Sequence, residues 1–404
     1  MIRPISLFLL LMIVLAGRKT ADGMQLSELG LLICLCIVPL CAIVAMRFEK
    51  YTKVVPLYAT FILLLSLYLA IENFGWKFFL EKQFGTNELL IGSLILLPTI
   101  LWLLILWWIS SPIANRLSWV SHRLRLDVLL LLIPVFLFFM VEEIATGLNF
   151  GEDVRSVVEL GAFLLLLAFM PFLMTFILSA KQMENYSLRT AIMEVAARAR
   201  IRNSKVYVWN THNRIMNAFA TGLILQPKLV VLTDKLITRL TPRELLAVTA
   251  HEYAHHKYLH TTFLVLTAFV SMRVMSIVFP LLGASNSNNS VQVVQLVLTI
   301  LAIILVSRQF ERQADAYSAL EMSKNSDGEI TEEGGSALAD ALGAIAFAQS
   351  IKPTVFDLLH GSIASRQQYL LGIIGSKYSA IAVNKRVFWL KLGLAIILVG
   401  TFFL

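Results

Sequence analysis

Apolar residues run along this chain in long blocks, with polar residues gathered in the gaps between them, and a helix needs about 20 such residues to cross a bilayer. Nine blocks are predicted as spans: 5 to 16, 29 to 46, 54 to 71, 89 to 109, 128 to 141, 156 to 180, 263 to 284, 290 to 306 and 387 to 404. The first is short, follows Arg3 and ends in Val14-Leu15-Ala16, so a cleaved signal peptide competes with a span there. Pro39, Pro98, Pro134 and Pro171 fall inside spans, where kinks are tolerated if neighbouring helices satisfy the freed carbonyls.

Two stretches are polar enough to lie outside the bilayer, 181 to 262 and 307 to 386, and they are read as one domain interrupted by a helical hairpin. The expected layout is a transmembrane bundle of about six spans over 1–180, a catalytic domain over 181–386 with its hairpin at 263–306, and a last membrane helix over 387–404. Within the first polar stretch, 181 to 200 reads as helix. Lys205 to Trp209 and Leu229 to Leu232 read as strands, being β-branched and apolar in short runs. Thr241-Pro242-Arg243-Glu244 then opens a helix as cap, first-turn proline and capping-box acid. The fold class is therefore mainly α, a polytopic membrane protein carrying an α+β catalytic domain of zincin type.

Composition agrees with this pattern. Of 404 residues 58% are hydrophobic and 15% charged, against about one-quarter charged in soluble domains. That excludes a secreted soluble enzyme, a disordered chain and a disulfide scaffold. Cys34, Cys36 and Cys41 share one apolar run and read as small hydrophobes. The net charge of +8 is spread over loops between spans, which argues against nucleic acid and sets orientation instead. With the N-terminus inside, the inside loops carry Arg3, Arg47, Lys50, Lys53, Arg116, Arg123 and Arg125; the outside loops carry Arg18, Lys19, Lys77, Lys82 and Arg155. Both polar stretches are then expected on the cytoplasmic side, in a bacterial cytoplasmic membrane.

His251-Glu252-Tyr253-Ala254-His255 is an HExxH motif. On a helix its two imidazoles share one face about 6 Å apart at Cβ and can hold one metal ion, with Glu252 beside them to take a proton from water. Chance supplies roughly 0.005 such motifs in a chain of this composition. A catalytic zinc needs a third protein ligand and an open position. His256 points about 100° away from His255, and the metzincin pattern fails because position 261 is Thr. Glu311, opening a helix on the far side of the hairpin, is the better candidate, since two crossings return the chain to the face it left. Asp315, one turn on, is placed to hold a ligand histidine by hydrogen bond.

The run Asn217-Ala218-Phe219-Ala220-Thr221-Gly222, the HExxH helix, a membrane hairpin and then Glu311 to Asp315 together resemble the membrane zinc metallopeptidases that include the HtpX heat-shock proteases and the CAAX prenyl proteases. The resemblance covers roughly 181 to 370. It implies one zinc per chain on His251, His255 and Glu311, Glu252 as general base, and Asp315 supporting a ligand. It further implies that Asn217, Ala218, Phe219 and Ala220 form an edge strand that pairs with extended substrate. His360 and Arg366 keep the spacing of the family's late His-Pro…Arg segment, although Gly361 stands where proline is usual. The activity so implied is a zinc endopeptidase acting on membrane-associated polypeptides, in quality control, with CAAX-type processing or a dedicated signalling role as alternatives. A transporter or scaffold with a structural metal is the rival of another class. Arg273, Glu159 and Lys391 are charges within or at the edge of spans and are candidates for function on that ground.

Overall fold

The computed structural model describes residues 26–45, 55–85, 87–111, 116–222, 227–285, 289–325 and 327–401. The chain divides into two compact units that meet between Leu166 and Leu167. The first unit is helical throughout its described residues, with helices Val55–Phe74, Trp76–Phe84, Glu88–Ser110, Arg116–Arg123 and Leu130–Gly147 the main ones. Leu63, Leu64, Leu67, Ile71, Ile91, Ile95 and Leu106 are buried where these helices meet.

Among the described residues four helical segments are long and apolar enough to cross a membrane: Leu89–Ser110, Val157–Leu178, His260–Leu281 and Val291–Ser323. Only 11% to 33% of each apolar window is buried inside the protein, so most of their apolar surface faces outward, as contact with lipid requires. A fifth span arises if Ala59–Phe74 and Trp76–Phe84 count together; they bend by 71° where Gly75, at φ 73, breaks the helix. Nine spans were expected. The segment 5–16 lies outside the described residues, and 29–46 forms only a shorter apolar helix, Glu28–Val44. Of the expected span 128–141, residues 130–141 fall in Leu130–Gly147, which carries Glu142 and Glu143; of 387–404, residues 387–400 fall in Ala382–Gly400, which carries Lys385, Arg386 and Lys391, and 402–404 lie outside the described residues.

The second unit holds the polar stretches. In chain order it contains β1 Lys181–Gln182, α1 Tyr186–Arg198, β2 Ser204–Trp209, β3 Ala218–Thr221, β4 Lys228–Thr233, α2 Asp234–Arg239 and α3 Pro242–Lys257. Then come α4 His260–Leu281, α5 Asn289–Ser323, α6 Glu332–Ala348, β5 Phe356–Asp357, β6 Gly361–Ser362, α7 Ile363–Gly372 and α8 Ala382–Gly400. The expected helix over 181–200 begins only at Tyr186, with Asn185 capping it through a bond from Leu188 N. The four-stranded sheet has the order β1-β2-β4-β3, with β2 and β4 parallel and β3 antiparallel on the outer edge. Every residue of β4 is buried, which is why it reads as an unbroken apolar run.

Helix α3 starts as its sequence demands. Thr241 accepts from Glu244 N, Glu244 accepts from Thr241 N, and Pro242 occupies the first turn. Its buried face is built largely of alanine, with Ala247, Ala250 and Ala254 at 0% exposure against Ala314 and Ala319 of α5 and Ala337 and Ala341 of α6, equally enclosed. Small side chains let the three helices approach closely. Gly334 is the tightest point, where any Cβ would collide with Ala319 O and Ser323 Oγ. Two polar ties fix α3 along its length: Tyr253 Oη bonds Ser204 Oγ of β2 at 2.8 Å, and Ser318 Oγ of α5 donates to Ala247 O at 2.7 Å.

Candidate metal centre

Helix α3 carries His251 and His255 one turn apart, and α5, returning from the hairpin, carries Glu311 against them. His251 Nε2 lies 3.3 Å from His255 Nε2 and 3.5 Å from Glu311 Oε2, and His255 Nε2 lies 3.5 Å from Glu311 Oε1. Zinc bonds of about 2.0–2.2 Å in tetrahedral geometry set neighbouring ligand atoms roughly 3.3–3.5 Å apart. The triangle has that size, and Glu311 Oε2 is buried with no hydrogen-bond partner, an orphan that a cation satisfies. The residues present therefore fit a metal ion.

Asp315 Oδ1 stands 3.0 Å from His251 Nδ1, so His251 keeps its Nε2 turned to the cluster. Burial works against charge on His251, but the Asp315 carboxylate bonded at its Nδ1 and the Glu311 carboxylate beside its Nε2 outweigh it and carry its pKa up to about 9. His255 has no such carboxylate behind it. Burial pulls its pKa down to about 3.

Arg366, buried on α7, closes on Asp315 with two bonds: Nε to Oδ2 at 3.0 Å and Nη2 to Oδ1 at 2.6 Å. Its Nη1 is 3.6 Å from Glu311 Oε2. A guanidinium forked onto one carboxylate fixes that carboxylate, and through Asp315 it fixes His251. His360 is placed differently. It is half-exposed, its Nε2 lies 4.0 Å from Glu311 Oε1, and Asp357 holds its Nδ1 at 2.9 Å. Although burial opposes protonation of His360, the bond to Asp357 and the Glu311 charge raise its pKa. Gly361 opens β6 at φ 77, a conformation closed to proline, which is the backbone reason this chain departs from His-Pro here.

Glu252 projects beside the histidines. Burial raises its pKa, opposed by the nearby His251 charge and by the backbone N–H of Ala220. That bond is possible because of strand register. Asn217 exchanges bonds with Thr233, N to Oγ1 and O from N, each at 3.0 Å. Alternation then turns the main-chain groups of Phe219 and Thr221 toward β4 and those of Ala218 and Ala220 outward. The edge strand and the HExxH glutamate thus share one side of the sheet.

Three polar residues line up behind His255, of which the sequence offers only His260, whose spacing does not fit a third ligand, and neither Gln313 nor Asn384. His260 Nδ1 is 3.1 Å from His255 Nδ1, Gln313 Oε1 is 2.9 Å from His260 Nε2, and Asn384 Oδ1 is 3.0 Å from Gln313 Nε2. Their only sequence signal is a histidine five residues after the motif. Among the span-associated charges, Arg273 donates to Thr401 O at 3.4 Å, about 20 Å along α4 from His260, and Glu159 pairs with Arg155. Lys391 donates to Tyr258 O and sits over the rings of Phe263 and Phe310. These are structural ties.

Residues 182–334 match the family model for Peptidase family M48. The Protease HtpX of Legionella pneumophila subsp. pneumophila strain Philadelphia 1 is 33% identical over 149 residues, covering 33% of this chain and 52% of that protein. The HtpX of Legionella pneumophila strain Corby is 32% identical over the same length and coverage. The chain spans about half the length of these curated relatives. Among solved structures, the crystal structure of S. mikatae Ste24p aligns with a TM-score of 0.56 at 17% identity, over 91% of this chain and 97% of that one. At that identity the likeness speaks for the fold alone.

Proposed function

We propose that the chain is a membrane zinc metallopeptidase of the family that includes the HtpX proteases and the CAAX prenyl proteases, and that it is a zinc-dependent endopeptidase cleaving membrane-associated polypeptides at the cytoplasmic membrane surface; the match of 182–334 to Peptidase family M48 and the likeness to the HtpX proteases support this reading. The observation that carries this reading is the triangle of His251, His255 and Glu311 with Glu252 at its side. We assign the three ligands to one zinc ion, whose chemistry when bound is to polarise the scissile carbonyl and acidify water.

The remaining work falls to the chain's own side chains. Glu252 removes a proton from water and returns it to the leaving amine as the C–N bond breaks. Ala218 offers its outward N–H and C=O and Ala220 its outward C=O to an extended peptide, the Ala220 N–H passing from the Glu252 carboxylate to the peptide as it pairs, which gives affinity with little dependence on sequence. His360, half-exposed at the rim and held at Nδ1 by Asp357, donates from Nε2 to the oxygen on which negative charge develops. Asp315 and Arg366 hold His251 in the tautomer and orientation that ligation needs. Little sequence dependence suits removal of damaged membrane proteins, and we place the catalytic domain at 181–386 between the bundle of 1–180 and the helix of 387–404, in a bacterial cytoplasmic membrane.

The test is proteolysis by the purified full chain beside Glu252→Gln, with bound zinc measured in both. Glu252→Gln is also the trap: proteins that accumulate on it in cells identify the substrates by mass spectrometry. Damaged or unassembled membrane proteins are expected. A trap filled with prenylated C-terminal peptides would replace quality control by CAAX-type processing, and equal proteolysis by both forms would end the enzyme reading.

A further inference from the structure

Resting on the reading of His255 as a zinc ligand, we propose that His260 is a positioning residue that fixes the His255 tautomer, and that a polar chain anchored at the base of α8 fixes His260 in turn. The direction of every bond follows from its last member. Tyr378 O can only accept, so Asn384 turns Nδ2 to it, at 2.8 Å, and is left with Oδ1 for Gln313. Gln313 donates Nε2 to that oxygen at 3.0 Å and so presents Oε1 to His260. His260 Nε2, 2.9 Å away, must therefore carry its ring proton.

A neutral His260 then has a bare Nδ1, which faces His255 Nδ1 at 3.1 Å. Two bare nitrogens repel, so the contact holds only when His255 donates from Nδ1. The consequence is a bare His255 Nε2, aimed at the point where His251 Nε2 and Glu311 Oε1 converge. His260 has no freedom to break this sequence: it is fully buried, and the Phe310 ring stacks on it at 4.5 Å with an interplanar angle of 4°. The two ligand histidines are thus held by unlike partners. His251 has a carboxylate behind it, in Asp315, and His255 has a neutral imidazole whose orientation is set far downstream, at Tyr378 and Asn384, in α8 and the turn before it.

The chain makes metal affinity depend on α8, the last membrane helix of the proposed layout. Partners of this kind behind a metal ligand commonly account for 10- to 100-fold in affinity. The experiment is the zinc dissociation constant of the full-length protein by chelator competition, with folding checked by thermal melting. His260→Leu, which deletes the acceptor, is expected to weaken zinc binding 10- to 100-fold. His260→Asn places Oδ1 near the lost Nδ1 and is expected to recover most of that loss. Gln313→Leu frees the His260 tautomer and is expected to fall between Leu and wild type.

Lys391→Met serves as the control for packing, since it removes a tie between α8 and Tyr258 and a contact with the Phe310 ring while leaving every hydrogen bond of the relay in place; zinc affinity within twofold of wild type is expected. Wild-type affinity in a folded His260→Leu protein would overturn the proposal. So would an Asn variant as weak as Leu, or a Lys391→Met loss equal to that of His260→Leu, because each would make the effect one of packing. If the wild-type protein itself holds no zinc, the metallopeptidase reading fails first and this proposal falls with it.

Discussion

His360 and Arg366 stand six residues apart, and their surroundings separate what their spacing had joined. His360 is half-exposed and faces Glu311 from the rim, whereas Arg366 is 8% exposed and forked onto Asp315. His360→Ala is expected to lower kcat and kcat/KM together by about 10²- to 10³-fold with zinc and stability intact, the signature of a bond formed only in the transition state. Steady-state kinetics on zinc-loaded protein will decide. Arg366→Ala leaves Asp315 buried without its cation, a loss of about 3–5 kcal/mol in other buried pairs. It is expected to appear as a lower melting temperature before any change in the chemistry of the folded fraction.

His251 makes a prediction in pH. Its folded-state pKa is raised to about 9 from an ordinary value near 6.5, so its proton contributes stability to the metal-free protein that is fully present below about 6.5 and lost as pH rises through 9. Zinc must displace that same proton. Apparent zinc affinity should therefore climb about tenfold per pH unit between 7 and 9 and level off above, when measured by chelator competition. A flat profile over that interval would mean that His251 is already neutral in the metal-free protein.

At the scale of elements, α3 was legible because its signals are local: Thr241, Pro242 and Glu244 announce the start, and the two histidines share a face by periodicity alone. Strands β2 and β4 were legible as apolar runs, though their parallel pairing, with β3 displaced to the edge, is a matter of topology that no run of residues records. The grouping of His260 with Gln313 and Asn384 was invisible for a related reason. They come from α4, α5 and α8, and nothing in a single polar residue on each helix states that the three converge. Arg366 was legible as functional but not in its role, since its partner Asp315 lies 51 residues away.

The edge strand gives the element-scale prediction. Ala220 belongs to the outward-facing set, so Ala220→Pro removes a main-chain donor without breaking a bond to β4. Affinity for an extended peptide should drop while zinc content stays unchanged. The Glu252 carboxylate loses the same donor, which would leave its pKa higher still, so the activity that survives should need a higher pH. Peptide affinity equal to wild type in a folded variant would make β3 a plain sheet strand.

At the scale of the whole molecule, the cluster itself constrains how the chain crosses the membrane. Glu311 sits 3.5 Å from both histidines, yet 263 to 306 between them is apolar enough to leave the aqueous phase. The 22 residues of α4 reach about 33 Å as a helix, close to the thickness of the hydrocarbon layer. A chain that leaves the catalytic side through α4 and must return to it through α5 has its turn, near Ser285, on the opposite side. Loop charges then choose which side is which, by the excess of Arg and Lys on the loops counted as inside. Single cysteines at Asn203 and Asn325 should accordingly be labelled from the cytoplasm, and single cysteines at Asn149 and Ser285 from outside, by an impermeant thiol reagent on a background lacking Cys34, Cys36 and Cys41. The two halves of the argument fail differently. If all four sites exchange sides, the charge reading is inverted and the hairpin survives; if Asn203 and Ser285 label from one side, α4 and α5 do not cross, and the route that brings Glu311 to the histidines must lie along the membrane surface.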